Sequence, residues 1–151
     1  MASFKLDQLT KELVMAKLRA IDDPCAAAAG IVRATLSVAL AGLADDTQAQ
    51  AEVIEDACRG GATGLLLTEQ NMARGAVLLL RCVSEVAAKY SMDPTEAMMA
   101  ALRGISDLKR FLLPDRLEEL RAAVDAEFMG AGECLRRMLD AKPTAAPAAA
   151  S

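Results

Sequence analysis

The sequence predicts an all-α protein, a compact bundle of about six helices, and three observations support this prediction. Ala, Leu and Met, which are strong helix formers, supply much of a chain that is 54% hydrophobic. Only 3% of the residues are aromatic, whereas β-strands are enriched in aromatic and β-branched residues. Apolar residues also recur at steps of three and four, which places them on one face of a helix.

The helices are positioned by this periodicity together with the residues that begin and end helices. The predicted helices are residues 4–20, 24–43, 46–67, 70–90, 94–112 and 115–140. We expect residues 1–141 to form a single helical domain, because a chain of 151 residues is long enough to bury one core. Residues 142–151 combine Ala with Pro, and we expect this tail to be disordered.

The first two helices are separated by a strong stop and start signal. Along the first helix, we expect the inward apolar stripe to be Leu6, Leu9, Leu13, Ala16 and Ala20. At the start of the second helix, Asp23 can accept hydrogen bonds from the first turn, and Pro24 fits the first helical position. Asp93 followed by Pro94 gives the same signal at the start of the fifth helix.

Residues 24–43 form the most apolar predicted helix, and Arg33 is its one charged residue. Twenty helical residues span about 30 Å, which is enough to cross a bilayer. A charge at the midpoint of such a span costs at least ~2.5 kcal/mol, and the flanking residues are acidic rather than basic. We therefore expect the central, buried helix of a bundle, with a peripheral membrane helix as the alternative.

The third helix raises the question of what two consecutive glycines do. The apolar periodicity continues through Gly60 and Gly61, which predicts one helix from near Asp46 to about Leu67, although a break at the glycines is the alternative. The spacing of a phosphate-binding loop is absent. A glycine inside a helix costs about 0.5–1 kcal/mol relative to alanine, and close helix packing is the expected compensation. The candidate packing or interface glycines are Gly30, Gly60, Gly61, Gly64 and Gly75.

A weak internal repeat suggests an alternative topology. The segment QAEVIEDACRGG (50–61) aligns without gaps with PTEAMMAALRGI (94–105), and GIVRATLSV aligns loosely with GAVLLLRCV further upstream. A spacing of about 45 residues is that of a two-helix repeat such as HEAT. The alternative topology is therefore two similar helical hairpins packed as a pair.

The composition excludes several function classes. The 17 Lys and Arg residues are interspersed with 21 acidic residues, which disfavours nucleic-acid binding. His is absent, which removes the commonest general base and transition-metal ligand, and neither a GxSxG motif nor a nucleotide loop occurs. The sequence therefore predicts no enzyme, no catalytic residue, no metal site and no cofactor.

The four cysteines are Cys25, Cys58, Cys82 and Cys134, and they form no CxxC pair. We expect small buried hydrophobes in a reducing, cytoplasmic environment. Convergence of all four on a metal or cluster is the alternative, because each falls on a different predicted helix.

Protein–protein interaction is the function class that remains. Helices too apolar to be covered within one chain imply a partner, and we expect a homodimer or a complex with another protein. Met98 and Met99, with Met129, are candidates for an adaptable groove, although filling the core is the simpler role for methionine. Arg33 and Arg81 are candidate contacts for a partner or an anionic, lipid-like ligand, although polar stripes on the surface are their simpler location.

Overall fold

The computed structural model describes residues 6–18, 23–43 and 46–140 and contains α-helices without β-strands in these ranges, which confirms the all-α prediction. The helices are α1 (Leu6–Leu18), α2 (Pro24–Ala41), α3 (Thr47–Leu67), α4 (Met72–Lys89), α5 (Pro94–Ser106), α6 (Pro114–Glu127) and α7 (Ala131–Asp140). A short 3₁₀ helix, Asp107–Arg110, extends α5. The predicted disordered tail lies outside the described residues.

Polar side chains begin four of these helices. The carboxylates of Asp23, Asp46 and Asp93 and the side-chain carbonyl of Asn71 each accept a hydrogen bond from a backbone N–H in the first turn. These bonds satisfy donors that have no partner within the helix. Pro24 and Pro94 occupy the first turns of α2 and α5, where a missing N–H costs nothing.

The helices pack in two layers. Along one layer α1 packs against α3, α3 against α5, and α5 against α7, while α2, α4 and α6 form the other layer in the same way. Each odd-numbered helix also contacts a neighbour in the even-numbered layer. This order is the one that successive helical hairpins produce when they stack, and it agrees with the hairpin topology that the internal repeat suggests.

The centre of the structure is α3, which runs without interruption through Gly60 and Gly61. A Cβ atom on Gly60 would collide with the Asp7 carbonyl oxygen of α1, and one on Gly61 would lie 2.8 Å from Val32 Cγ2 of α2. The two glycines therefore let α1 of the same layer and α2 of the other layer approach α3 closely. Gly64 and Gly75 are enclosed in the same way, by side chains of α1 and of α3 respectively.

The buried face of α1 differs from the predicted stripe. Leu6 is buried, but Leu9 and Leu13 are 40% and 45% exposed, Ala16 is exposed, and Ala20 lies outside the described residues. Thr10 and Val14 are buried instead, and the Thr10 hydroxyl donates to the Leu6 carbonyl oxygen at 2.7 Å. The glycines of α3 explain the difference, because a Cβ on Gly64 would lie 2.8 Å from Val14 Cγ1.

The prediction that α2 is the central helix is wrong, because α3 occupies that position. The buried residues of α2 form one stripe: Cys25, Ala28, Val32, Leu36 and Leu40. Gly30 was expected at a packing position, but it is exposed and no atom of the described residues lies within 4 Å of where its Cβ would be. One side of the most apolar helix is thus not covered by any of the described residues.

Two arginines, each followed by glycine, join α3 to α5. Arg59 donates to the carboxylates of Glu55 (2.6 Å), Asp56 (2.8 Å) and Asp107 (2.5 Å), and Arg103 donates to Glu55 at 3.2 Å. In each case the following glycine lies against the backbone of a neighbouring helix. The repeated Arg-Gly pair of the sequence therefore marks two similar packing positions.

Candidate functional site

The open end of the two layers lies at α1 and α2. We call the exposed ridge of α2 the α2 outer face, and it consists of Ala26, Gly30, Ala34, Val38 and Ala41. These residues follow each other at steps of four, four, four and three, so they share one side of the helix. Val38 is 79% exposed, and no described helix covers the ridge.

The charged residues beside the α2 outer face are neutralised in pairs. Arg33 binds the carboxylate of Glu85 on α4, and both side chains are about half exposed. Asp23 binds Arg74 at 2.7 Å, and its hydrogen bonds from the Ala26 N–H and from Arg74 lower the pKa of this carboxyl group. The face is consequently small, apolar and without a net charge of its own.

Arg81 is the second candidate contact for an anionic ligand, and it shares no ion-pair partner with Arg33. It binds Glu127 and so connects α4 to α6. Arg74 and Arg81 line a shallow groove of about 360 Å³ between these two helices, and both are already paired with carboxylates. The structure therefore places the predicted arginines on polar bridges between helices and not in one shared anion pocket.

The predicted methionines come together at the other end of the molecule. A groove of about 530 Å³ lies between the start of α5 and the segment that joins α6 to α7. We call it the methionine groove, and the side chains that dominate it are Met98, Met99, Leu102, Phe128, Met129 and Cys134. Met129 is 97% exposed, whereas Met98 packs partly against the core.

The turn that carries Met129 was missed by the sequence analysis, which predicted one helix over 115–140. Gly130 has a φ of +91°, a conformation that other residues rarely adopt, and it separates α6 from α7. The Asp125 carboxylate accepts hydrogen bonds from the N–H groups of Gly130 (3.3 Å) and Gly132 (3.1 Å). Gly132 packs so closely on Asp125 that a Cβ would collide with it. The motif Asp125…Gly130-x-Gly132 was the available signal.

The four cysteines do not converge. Cys25, Cys58 and Cys82 are buried and Cys134 is partly exposed, all as free thiols. Burial raises the pKa of the Cys82 thiol to about 11 and also raises that of Cys58. Within the described residues, no three His, Cys, Asp or Glu side chains are grouped so that they could hold a metal ion.

Comparison with known proteins adds no relative. No protein-family model, no curated protein and no solved structure matches the chain. By length and composition alone, α2 is the one described helix that is apolar enough to cross a membrane. The fold defines a two-layered helical protein with one apolar end and a sulfur-lined groove at the other.

Proposed function

We propose that this protein is a non-enzymatic helical interaction protein of the cytosol that self-associates through the α2 outer face. One observation carries the proposal: the most apolar helix of the chain buries five of its 18 residues and leaves an uncharged ridge in solvent. Contiguous exposed apolar patches of a few hundred Å² are often functional contact surfaces in soluble proteins.

A second copy of the chain fits this surface better than an unrelated partner with large side chains. A ridge of Ala and Gly with a single Val offers no deep pocket, so its best complement is another flat ridge of small residues, which lets the two helix backbones approach closely. A two-fold dimer supplies such a ridge automatically, because the same patch is used on both subunits. The paired charges beside the face would not repel the second copy.

The size of the ridge limits the expected affinity. Eighteen helical residues are about 27 Å long and a helix is about 10 Å wide, so the face offers roughly 270 Å². A stable interface buries about 800 Å² per partner. The helix α1 packs against α2 and carries the exposed Leu9 and Leu13, which would enlarge the contact where the second copy also reaches α1. We therefore expect a weak dimer with a dissociation constant in the micromolar range or above.

Sedimentation equilibrium of the full chain, from low micromolar to near-millimolar concentration, tests the proposal. We expect a monomer–dimer equilibrium for the wild type and a dissociation constant at least about tenfold higher for Ala34→Glu, because a charge would be buried at the ridge. Ala122→Glu, which changes an exposed alanine of α6, is the matched control and should dimerise like the wild type. A wild type that stays monomeric throughout would overturn the proposal.

A membrane surface is the second candidate partner, because α2 has the length and composition of a membrane-spanning helix. In that case the same variant, Ala34→Glu, would reduce flotation with anionic or neutral lipid vesicles. Our proposal predicts that neither the wild type nor the variant floats with vesicles. Flotation of the wild type that survives high salt would favour the membrane candidate.

A further inference from the structure

The methionine groove concentrates sulfur. Three of the chain's eight methionines and one of its four cysteines line it, namely Met98, Met99, Met129 and Cys134. Among the described residues, the rest of the lining carries no charged side chain, and the hydroxyl of Thr95 is the only other polar side-chain group. A cation that entered the groove would therefore meet soft thioether and thiol donors and almost no side-chain oxygen.

We propose that this groove binds a soft monovalent metal ion, Cu(I), through the thioethers of Met98, Met99 and Met129 and the thiolate of Cys134. Thioether and thiolate ligands select Cu(I), whereas Mg²⁺ and Ca²⁺ require oxygen ligands. Binding replaces the thiol proton of Cys134 by the metal ion and releases that proton to solvent, with no change of oxidation state. The bound ion and the thiolate together are neutral, which suits an apolar groove.

The sulfur donors lie on both sides of the groove. Met98 and Met99 are consecutive residues of α5, Met129 belongs to the turn before α7, and Cys134 lies on α7 itself. Methionine has three rotatable bonds, so its sulfur can move towards an ion at little cost to the backbone. An ion between the walls would thus join α5 to the α6–α7 segment.

Two further features support a ligand at this place. Met129 is 97% exposed and contributes nothing to the core, yet its turn is fixed by the Asp125 carboxylate and by the positive φ of Gly130. Cys134 is the one cysteine that is not buried, so its thiol is the one accessible for metal exchange. Burial protects the other three thiols from the same ion.

Methyl-¹³C methionine NMR of the full reduced chain, titrated with Ag(I) as a redox-inert probe for Cu(I), tests the proposal. We expect saturation at one ion per chain, with the methyl signals of Met98, Met99 and Met129 shifting and those of Met15 and Met72 unchanged. Shifts that are absent, or that affect all methionines equally, would contradict it.

A competition titration of Cu(I) against a chromophoric chelator under anaerobic conditions tests the ligand set. The near-isosteric double variant Met98→Leu/Met129→Leu should bind Cu(I) at least about tenfold more weakly than the wild type. Met72→Leu is the matched control and should bind Cu(I) like the wild type. Cys134→Ser should abolish the proton release that accompanies binding. Equal affinity of the double variant and the wild type would mean that the methionines are not ligands, and the proposal would fail.

Discussion

The two ends of the helical stack present opposite surfaces to solvent. At one end, α6 and α7 expose charged side chains that form ion pairs along each helix, such as Arg121 with Glu118 at 2.7 Å and Arg116 with Glu119 at 3.4 Å. At the other end, the α2 outer face has only small apolar residues. Stacked helical proteins need a polar outer face on their terminal helices to remain soluble. The difference separates a charged end of the stack from an apolar end, and the apolar end is the one that our proposal assigns to a partner.

The glycines show the same difference at single positions. In the internal repeat Gly30 of α2 corresponds to Gly75 of α4. Gly75 is covered, because a Cβ there would lie 2.6 Å from Leu65 Cδ1 and 3.8 Å from Cys25 Sγ. Gly30 is open, because α2 has no further helix beside it within the described residues. A second copy of the chain would supply the cover that α3 and α2 give to Gly75.

The largest effect is expected where glycines are enclosed by backbone. In Gly60→Ala the new methyl group would strike the Asp7 carbonyl oxygen, and in Gly104→Ala it would strike the Glu55 carbonyl oxygen. We expect each variant to lose roughly 1–3 kcal/mol of unfolding free energy, because backbone must move to relieve the overlap. Urea unfolding monitored by circular dichroism measures this loss. Variants as stable as the wild type would show that the helices are less closely packed than described.

A similar loss of unfolding free energy is expected at alkaline pH, because the Cys58 thiol of α3 and the Cys82 thiol of α4 are buried. Burial raises the pKa of Cys82 to about 11 and raises that of Cys58, from an ordinary value of 9.0. Above pH 9 the unfolded chain loses these protons and the folded chain keeps them, so stability present below pH 9 falls as pH rises. The slope is at most about 1.4 kcal/mol per pH unit for each thiol.

The matched variant for this pH dependence is Cys58→Ala/Cys82→Ala. It should be less stable than the wild type at pH 7, because two cavities form in the core. Its unfolding free energy should nevertheless fall less steeply between pH 9 and about pH 10, since the two buried thiols no longer titrate. Parallel curves for the two proteins would show that other groups cause the alkaline loss.

A small gain is expected at the open end. Gly30→Ala adds a methyl group in free space and removes the entropic cost of a glycine inside a helix. At concentrations where the chain is monomeric, we expect the unfolding free energy to rise by about 0.5–1 kcal/mol in urea titrations. A loss of stability would mean that Gly30 is enclosed, like its counterpart Gly75.

Local signals made much of the fold predictable from the sequence. The helix starts at Asp23-Pro24 and Asp93-Pro94 depend on adjacent residues, and the continuity of α3 through Gly60 follows from periodicity that its own residues carry. These features need no information from distant parts of the chain. They were therefore predicted correctly.

Features that depend on distant residues could not be predicted in the same way. The buried side of α1 is chosen by glycines of α3, more than forty residues away, so an apolar stripe containing Leu9 and Leu13 was misleading. The open side of α2 depends on the order in which the helices stack, which composition does not contain. The break before α7 had a local signal at Gly130, but the apolar seam continues across it and concealed the turn.

The same dependence limits the prediction of the candidate sites. The sequence suggested that Met98, Met99 and Met129 line a groove. Only the turn that the Asp125 carboxylate holds places Met129 beside the two methionines of α5. The sequence did not indicate that Cys134 lines the groove, because the accessibility of its thiol depends on how α7 packs on α5.

Oxidative cross-linking tests the central claim, that the α2 outer face meets its counterpart on a second copy. In a Cys134→Ser background, which removes the accessible thiol, Ala34→Cys and Val38→Cys place new thiols on the ridge, and Ala122→Cys places one on α6. We predict that at least one of the ridge thiols forms disulfide-linked dimers about tenfold faster than the α6 thiol, because association raises its effective concentration. Ridge thiols that cross-link no faster than the α6 thiol would contradict the account.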